Sequence, residues 1–429
     1  MDKWIFKSNV PRKGANIKKV VEPKTPKDIE KIVQENGYFL GTGGGFSHSR
    51  IDEARQKTTF ISSARIKHVH KVSKTILCST KKIKQRLDDI IDPVWCRREK
   101  FPIHDYFINV GSGVTLKELN LYLKDRGMML SDQSSVDWET MGGVSQTGTH
   151  GSGWNLLPLS SLIVSVRIVL PNKSFASIGR KQKVLKNNNL NDDYIFNSII
   201  CGIGSMGFVY DMVILAQDYV EYNTKIGITK WIDLKNDLYK FVEDVRHIEL
   251  FINPKTNNVM MIQRDEKELD FHYPLVVDKD LVPNKTFKIN KIFTSTESAI
   301  PIYKMDEIPS KINSCLYYLK QKEISYPIHI RFGRACNSFL APTYSKDKDV
   351  LGFMYIKMSV ILGDKYVNKN MQNLINFETF LQTYGGRPHM AKIQGGQVDR
   401  PGIREWKVAF GAFEDNPFAS DFAEELLHV

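Results

Sequence analysis

With 429 residues, of which 42% are hydrophobic and 25% charged, the chain is ordered and globular in composition and too long for one comfortable core, so two domains are expected. The formal charge of +12 is spread along the chain, densest around Lys81–Arg86 and Arg97–Lys100, and no aromatic RNA motif, zinc spacing or basic heptad helix accompanies it; a solvated basic loop is expected, and no nucleic acid. No apolar run reaches membrane-spanning length and the first residues lack a secretory core, while Cys78, Cys96, Cys201, Cys315 and Cys336 form neither a disulfide framework nor a metal site; a reduced cytoplasmic protein without metal is the expectation.

Lys19–Glu22 reads as a short strand, followed by a helix with Thr25 at the N-cap and Pro26 at its first position. A strand at Tyr38–Leu40 runs into the glycine loop Gly41–Ser49, a setting in which backbone amides approach a phosphate closely. The loop fails as a GxGxxG fingerprint because Phe46 stands where the last glycine belongs. Lys71–Tyr106 is polar, basic and irregular, and reads as an insertion. Strand character resumes at Phe107–Val114, and Thr115 with Glu118 forms a capping box in an amphipathic helix. Met141–Gly153 is a second loop, with five glycines and two threonines in thirteen residues, a density of exposed amide suited to a cofactor pyrophosphate. Ser160–Pro171 and Gly207–Leu215 are β-rich. The middle region alternates strands (Val259–Gln263, Ile328–Phe332, Phe353–Met358) with a helix at Lys311–Gln321, and the turn-rich tail from Gly385 ends in a helix at Ala419–Leu427. The expected division is 1–218, 219–384 and 385–429.

Five segments in order carry a family resemblance: Gly43–Ser49, Met141–Gly151, Ile203–Val209, Tyr326–Arg334 and Gly385–Lys392, the last reading Gly-Gly-Arg-Pro-His-Met-Ala-Lys. Together they resemble the vanillyl-alcohol-oxidase-type (PCMH) flavoproteins, in the branch of sugar-lactone and alditol oxidases. The resemblance implies an α+β fold of two domains, an FAD-binding domain and an inserted substrate domain on an antiparallel sheet, with the C-terminal segment returning to the flavin. It implies FAD held by Gly43, Gly44, Gly45, Phe46, Ser47, His48, Ser135, Gly142, Gly143, Thr147, Gly148, Thr149, His150, Gly151, Gly204, Gly207, Val209 and Lys392. In many members a histidine of the first segment is bonded to the flavin. The ungapped register puts Phe46 there, implying dissociable FAD, whereas a register shifted by two residues would give the role to His48.

The strand that usually carries Glu-x-Arg carries His329 and Arg331. The resemblance implies oxidation of a CH–OH group of a sugar, lactone, polyol or sugar acid. In that chemistry His329 positions or deprotonates the hydroxyl, Arg331 and Lys392 stabilise developing negative charge, and His389, Ser135 and Arg334 line the pocket. Without the usual acid, the pocket is read as open either to an anionic substrate or to a neutral sugar shaped differently. Oxygen or another acceptor takes the electrons. The other readings are a dehydrogenase, an epimerase-type oxidase on a nucleotide- or lipid-linked sugar, and a flavin-binding sensor without turnover.

Overall fold

The computed structural model describes residues 17–45, 47–51, 53, 55, 57–72, 106–179, 192–281, 293–361, 367–396 and 400–428. Phe46, both basic stretches, Cys78, Cys96 and all but the ends of the Lys71–Tyr106 insertion lie outside them.

A small parallel sheet comes first, built from β1 (Ile17–Val21), β2 (Phe39–Thr42) and β3 (Thr58–Ser62) in the order β1-β3-β2. Helix α1 (Pro26–Val33) starts where the sequence placed it. The Asp28 amide donates to Thr25 Oγ1 at 3.3 Å and the Thr25 amide to Asp28 Oδ2 at 2.9 Å, which satisfies two amides that the helix itself leaves unpaired. Ile29 and Val33 then bury against Phe39, Ile61 and Phe208. Strand β2 thereby delivers the first glycine segment to the sheet's edge.

The second sheet contains β4 (Val69–Val72), β5 (Tyr106–Gly111), β6 (Met128–Met129), β7 (Ile163–Val169), β8 (Phe175–Gly179) and β9 (Phe208–Asp218). Its order is β4-β5-β9-β7-β8, with β6 also on β9, and every pairing is antiparallel. Helix α2 (Leu116–Lys124) carries the expected box, Thr115 and Glu118 exchanging hydrogen bonds at 3.2 and 2.7 Å. The second glycine segment departs from the expected loop, since Met141–Thr147 is a helix, α3. Thr140 caps its start, and Gly148 ends it at φ 75°, a left-handed conformation that glycine adopts without penalty. Helix α4 (Asp192–Ile199) packs beside this sheet.

The third sheet is antiparallel throughout, in the order β10-β12-β11-β14-β15-β13-β16. Its strands are β10 (Asn223–Lys230), β11 (His247–Ile252), β12 (Asn258–Asp265), β13 (Phe293–Ile302), β14 (Ile328–Gly333), β15 (Gly352–Ile361) and β16 (Arg387–Pro388). Ile328, Ile330 and Phe332 of β14 and Met354, Ile356 and Met358 of β15 share a core with Ile312, Leu316 and Leu319 of α5 (Glu307–Gln321) and Leu374, Phe377 and Leu381 of α6 (Val367–Gln382). Side chains alternate across a strand, so His329 and Arg331 point to the opposite face. Register brings Lys357 beside His329 and Glu297, and Tyr355 beside Arg331. Strand β16 completes this sheet past the expected boundary at 384/385. Helix α7 (Ile403–Gly411) then returns to the first core, where Trp406, Ala409 and Phe410 pack with Phe196 and Ile199 of α4, and α8 (Asp421–Leu427) closes the chain. Among the described residues, no helix is long and apolar enough to cross a membrane.

Candidate active site

Between the uncovered face of the third sheet and the two glycine segments lies a cleft with about 1370 Å³ of empty space, part of it open to solvent. One wall is glycine-rich: Gly43, Gly44, Gly45, Gly142, Gly143 and Gly204. Ser47, Thr147, Thr149, Gly207 and Val209 continue it. The facing wall is charged, with Glu297 from β13, Arg331 from β14, Lys357 from β15, and His389 and Lys392 from the tail; Ser135 and Glu139 stand at one side.

Arg331 is the centre of the charged wall. Only 6% exposed, it donates from Nη2 to Glu297 Oε1 at 2.6 Å and from Nη1 to Ser135 Oγ and the His150 carbonyl at 3.2 Å each. Glu297 is 1% exposed. Burial alone would raise its pKa, but the charge of Arg331, with His150 beside it, outweighs that and holds it well below the ordinary carboxylate range. His150 Nδ1 lies 2.9 Å from the Gly151 carbonyl, which assigns the proton to Nδ1 and leaves Nε2 to accept from Arg331 Nη2 at 3.3 Å. Its ring stacks on Tyr355 with centroids 3.5 Å apart. Burial and then Arg331 lower its pKa to about 4, so the ring is neutral at neutral pH.

The tail reaches this wall because it is fastened along β13. The His389 amide donates to the Glu297 carbonyl at 2.8 Å and the Ile393 amide to the Ser295 carbonyl at 3.0 Å. Buried Arg400 donates to the Pro388 carbonyl at 2.5 Å, and Glu378 on α6 accepts from the Gly395 amide at 2.7 Å. His389 Nδ1 accepts from the Ala391 amide at 3.1 Å, and burial holds its pKa well below the ordinary value. Behind the second glycine segment, Asp132 Oδ2 accepts from the Gly151 amide at 2.6 Å, and burial pushes its carboxyl up to about 7.

Several residues expected at the site stand elsewhere. His329 does not line the cleft. Its Nε2 is 2.8 Å from Glu249 Oε2, its ring stacks on Phe251 at 4.0 Å, and burial lowers its pKa to about 4. Arg334 is buried behind the strand's end, its amide donating to the Leu156 carbonyl. Gly148 and Gly151 shape the second glycine segment from behind its surface. His48 is turned toward β13, with Nδ1 3.3 Å from Thr294 Oγ1 and its amide donating to the Ala391 carbonyl.

Glu297, Lys357 and Glu139 line the cleft without having been singled out in the sequence. Glu297 corrects the expectation of a pocket without an acid, because the carboxylate beside Arg331 comes from another strand. Its segment, Phe293-Thr-Ser-Thr-Glu-Ser-Ala-Ile-Pro-Ile, is polar and holds a proline, so it reads as a loop; the available signal was the β-branched residues before the glutamate.

The glycine wall fits an FAD pyrophosphate. A β-carbon at Gly43 would overlap the Thr140 hydroxyl, and the amides of Gly44 and Gly45 have no acceptor among the described residues. Such unpaired amides neutralise phosphate without buried counter-charges. The fold is of the PCMH type, and its cleft is shaped to take FAD.

Comparison with known proteins agrees. A family model described as FAD binding domain matches residues 92–177, and one described as D-arabinono-1,4-lactone oxidase matches 284–413. The two matches follow each other along the chain, the FAD-binding part ahead of the lactone-oxidase part. It is 24% identical over 156 residues to L-galactono-1,4-lactone dehydrogenase 2, mitochondrial, of Oryza sativa subsp. japonica, a match covering 36% of this chain and 25% of that protein. It is 22% identical over 370 residues to L-gulono-1,4-lactone dehydrogenase of Mycobacterium tuberculosis, covering 75% and 81%. With L-gulonolactone oxidase of Bos taurus the figures are 21% over 336 residues, covering 66% and 71%. The chain thus spans about a quarter of the length of the plant relatives it matches. The fold is similar to that of cholesterol oxidase from B. sterolicum, with a TM-score of 0.69 and 11% identity over 95% of this chain and 94% of that one.

Proposed function

We propose that the protein binds FAD without a covalent bond and oxidises a CH–OH group of a sugar lactone or a closely related polyol. The observation that carries this reading is the buried Arg331–Glu297 pair, set with Lys357 and Lys392 opposite a glycine-lined wall in one cleft. The joined FAD-binding and lactone-oxidase models, and relatives named for gulono- and galactono-lactones, support it.

Gly43, Gly44, Gly45, Gly142 and Gly143 would hold the pyrophosphate, with Thr147, Thr149, Gly204, Gly207 and Val209 along the rest of the molecule. FAD supplies the oxidising power, accepting two electrons and the hydrogen of a C–H bond. Arg331 is held by four acceptors on three residues, so its charge faces developing negative charge without reorganising. Glu297 keeps that guanidinium oriented and supplies the permanent negative charge that the strand of Arg331 lacks. With this acid present, a neutral sugar lactone suits the pocket and no anionic group is required of the substrate. Non-covalent attachment is supported by His48, whose ring is engaged with Thr294. Cys201, Cys315 and Cys336 are buried and form no disulfide among the described residues, which supports a reducing compartment, read here as the cytoplasm.

The test is spectroscopic. Protein loaded with FAD is mixed anaerobically with a panel of aldonolactones, polyols and sugar acids while flavin absorbance is followed. Bleaching by a lactone is the expected result, and reoxidation in air then separates oxidase from dehydrogenase. Loss of all flavin to the supernatant on acid precipitation is expected for dissociable FAD. A coloured pellet would overturn that part.

A further inference from the structure

We propose that Lys357 Nζ is the acceptor of the substrate's hydroxyl proton, an assignment that rests on the reading above. Converting CH–OH to C=O breaks two bonds. The C–H hydrogen leaves with its electron pair to oxidised flavin, and the O–H proton must pass to a base on the cleft wall, here R–NH₂ becoming R–NH₃⁺.

The wall offers few bases. Glu297 is ionised and bound to Arg331 at 2.6 Å, which makes it a weak acceptor. His150 has its proton on Nδ1 and its Nε2 engaged by Arg331. His389 uses Nδ1 to accept from the Ala391 amide, leaving only an N–H to face the cleft. Arginine does not deprotonate. Glu139, Lys392 and Lys357 remain. Glu139 comes from the loop just ahead of the Thr140 cap of α3, near Lys392, Arg331 and Lys357, whereas Lys357 stands on the sheet of Arg331 itself.

The two lysines differ in their neighbours. Burial lowers the pKa of Lys392, against the opposing pull of Glu297 and Glu139. For Lys357, burial and then the like charge of Lys392, only partly offset by Glu297, bring it down to about 8. Both lysines are lowered by burial, and Lys357, on the strand paired with that of Arg331, is assigned as the one to give up its proton. Lys357 lies on β15 directly between Glu297 on β13 and His329 on β14. The ionisable groups around it are those two, Arg331, Lys392, Glu139 and His48. An acceptor poised near neutral pH on the wall of Arg331 is what hydroxyl deprotonation requires.

The experiment compares FAD-loaded wild type with Lys357→Met by anaerobic flavin reduction across pH, with ¹³Cε-lysine NMR of the holoenzyme as a readout independent of turnover. Wild-type reduction is expected to rise with pH through about 8 and level off. The variant should lose roughly 100-fold or more near neutral pH, lose that limb, and regain rate with added ethylamine. One lysine signal, absent in Lys357→Arg, should titrate near 8. A variant that reduces as fast as wild type with the same limb overturns the assignment, and so does a Lys357 signal that stays charged throughout. If Lys357→Met fails to hold FAD, the wild-type NMR titration decides in the same way. Should no compound bleach the wild type, it is the sugar-oxidation reading that fails.

Discussion

Glu297→Gln changes the centre of the site by one charge and almost no volume. In the wild type three cations (Arg331, Lys357 and Lys392) share the cleft with two carboxylates (Glu297 and Glu139). Arg331 and Glu297 are both buried and 2.6 Å apart, so glutamine leaves a desolvated guanidinium without its counter-charge. Removing one member of such a pair costs roughly 3–5 kcal/mol, and because the amide oxygen can still accept from Nη2, about 3 is expected. The sign with pH follows from the depressed pKa of Glu297. Its contribution is fully present above the ordinary value of 4.5 and is lost as pH falls through the lower folded value. Urea unfolding of both proteins, followed by tryptophan fluorescence at several pH values, should show a constant gap from neutral down to about pH 5 that closes in stronger acid. A gap below about 0.5 kcal/mol at neutral pH would mean that water in the cleft already screens Arg331, and would refute the reasoning.

Gly43→Val should abolish FAD retention, since its side chain would displace the Thr140 hydroxyl that caps α3; the flavin-to-protein absorbance ratio after gel filtration checks this. Asp132→Asn should gain stability relative to wild type as pH rises. The raised carboxyl favours the fold below its ordinary 3.8 and loses that contribution as pH passes about 7, and the gap between unfolding midpoints should flatten above that. His329→Gln should keep the pH limb of flavin reduction, with a rate within about threefold, because His329 is engaged with Glu249 outside the cleft; loss of the limb would return His329 to the proton path.

Local signals in the sequence were accurate where the physics is local. The Thr25 and Thr115 caps, the strand at Ile328–Phe332 and the helix at Lys311–Gln321 each follow from neighbours a few residues apart. The glycine segments were legible as one wall of the cleft, although a threonine cap and a left-handed Gly148 turned half of the second into a helix. The proton chemistry was not legible. Whether His329 or Lys357 faces the cleft depends on which of several coplanar strands lies opposite the glycine wall, a property of sheet order. Glu297 meets Arg331 across β15, a pairing between strands that local composition does not encode.

The most direct test is flavin absorbance when an aldono-1,4-lactone is added anaerobically to the FAD-loaded protein. Bleaching is expected, slowed severely in Lys357→Met. A protein that takes up FAD stoichiometrically yet stays fully oxidised with every lactone and polyol would contradict the assigned oxidation.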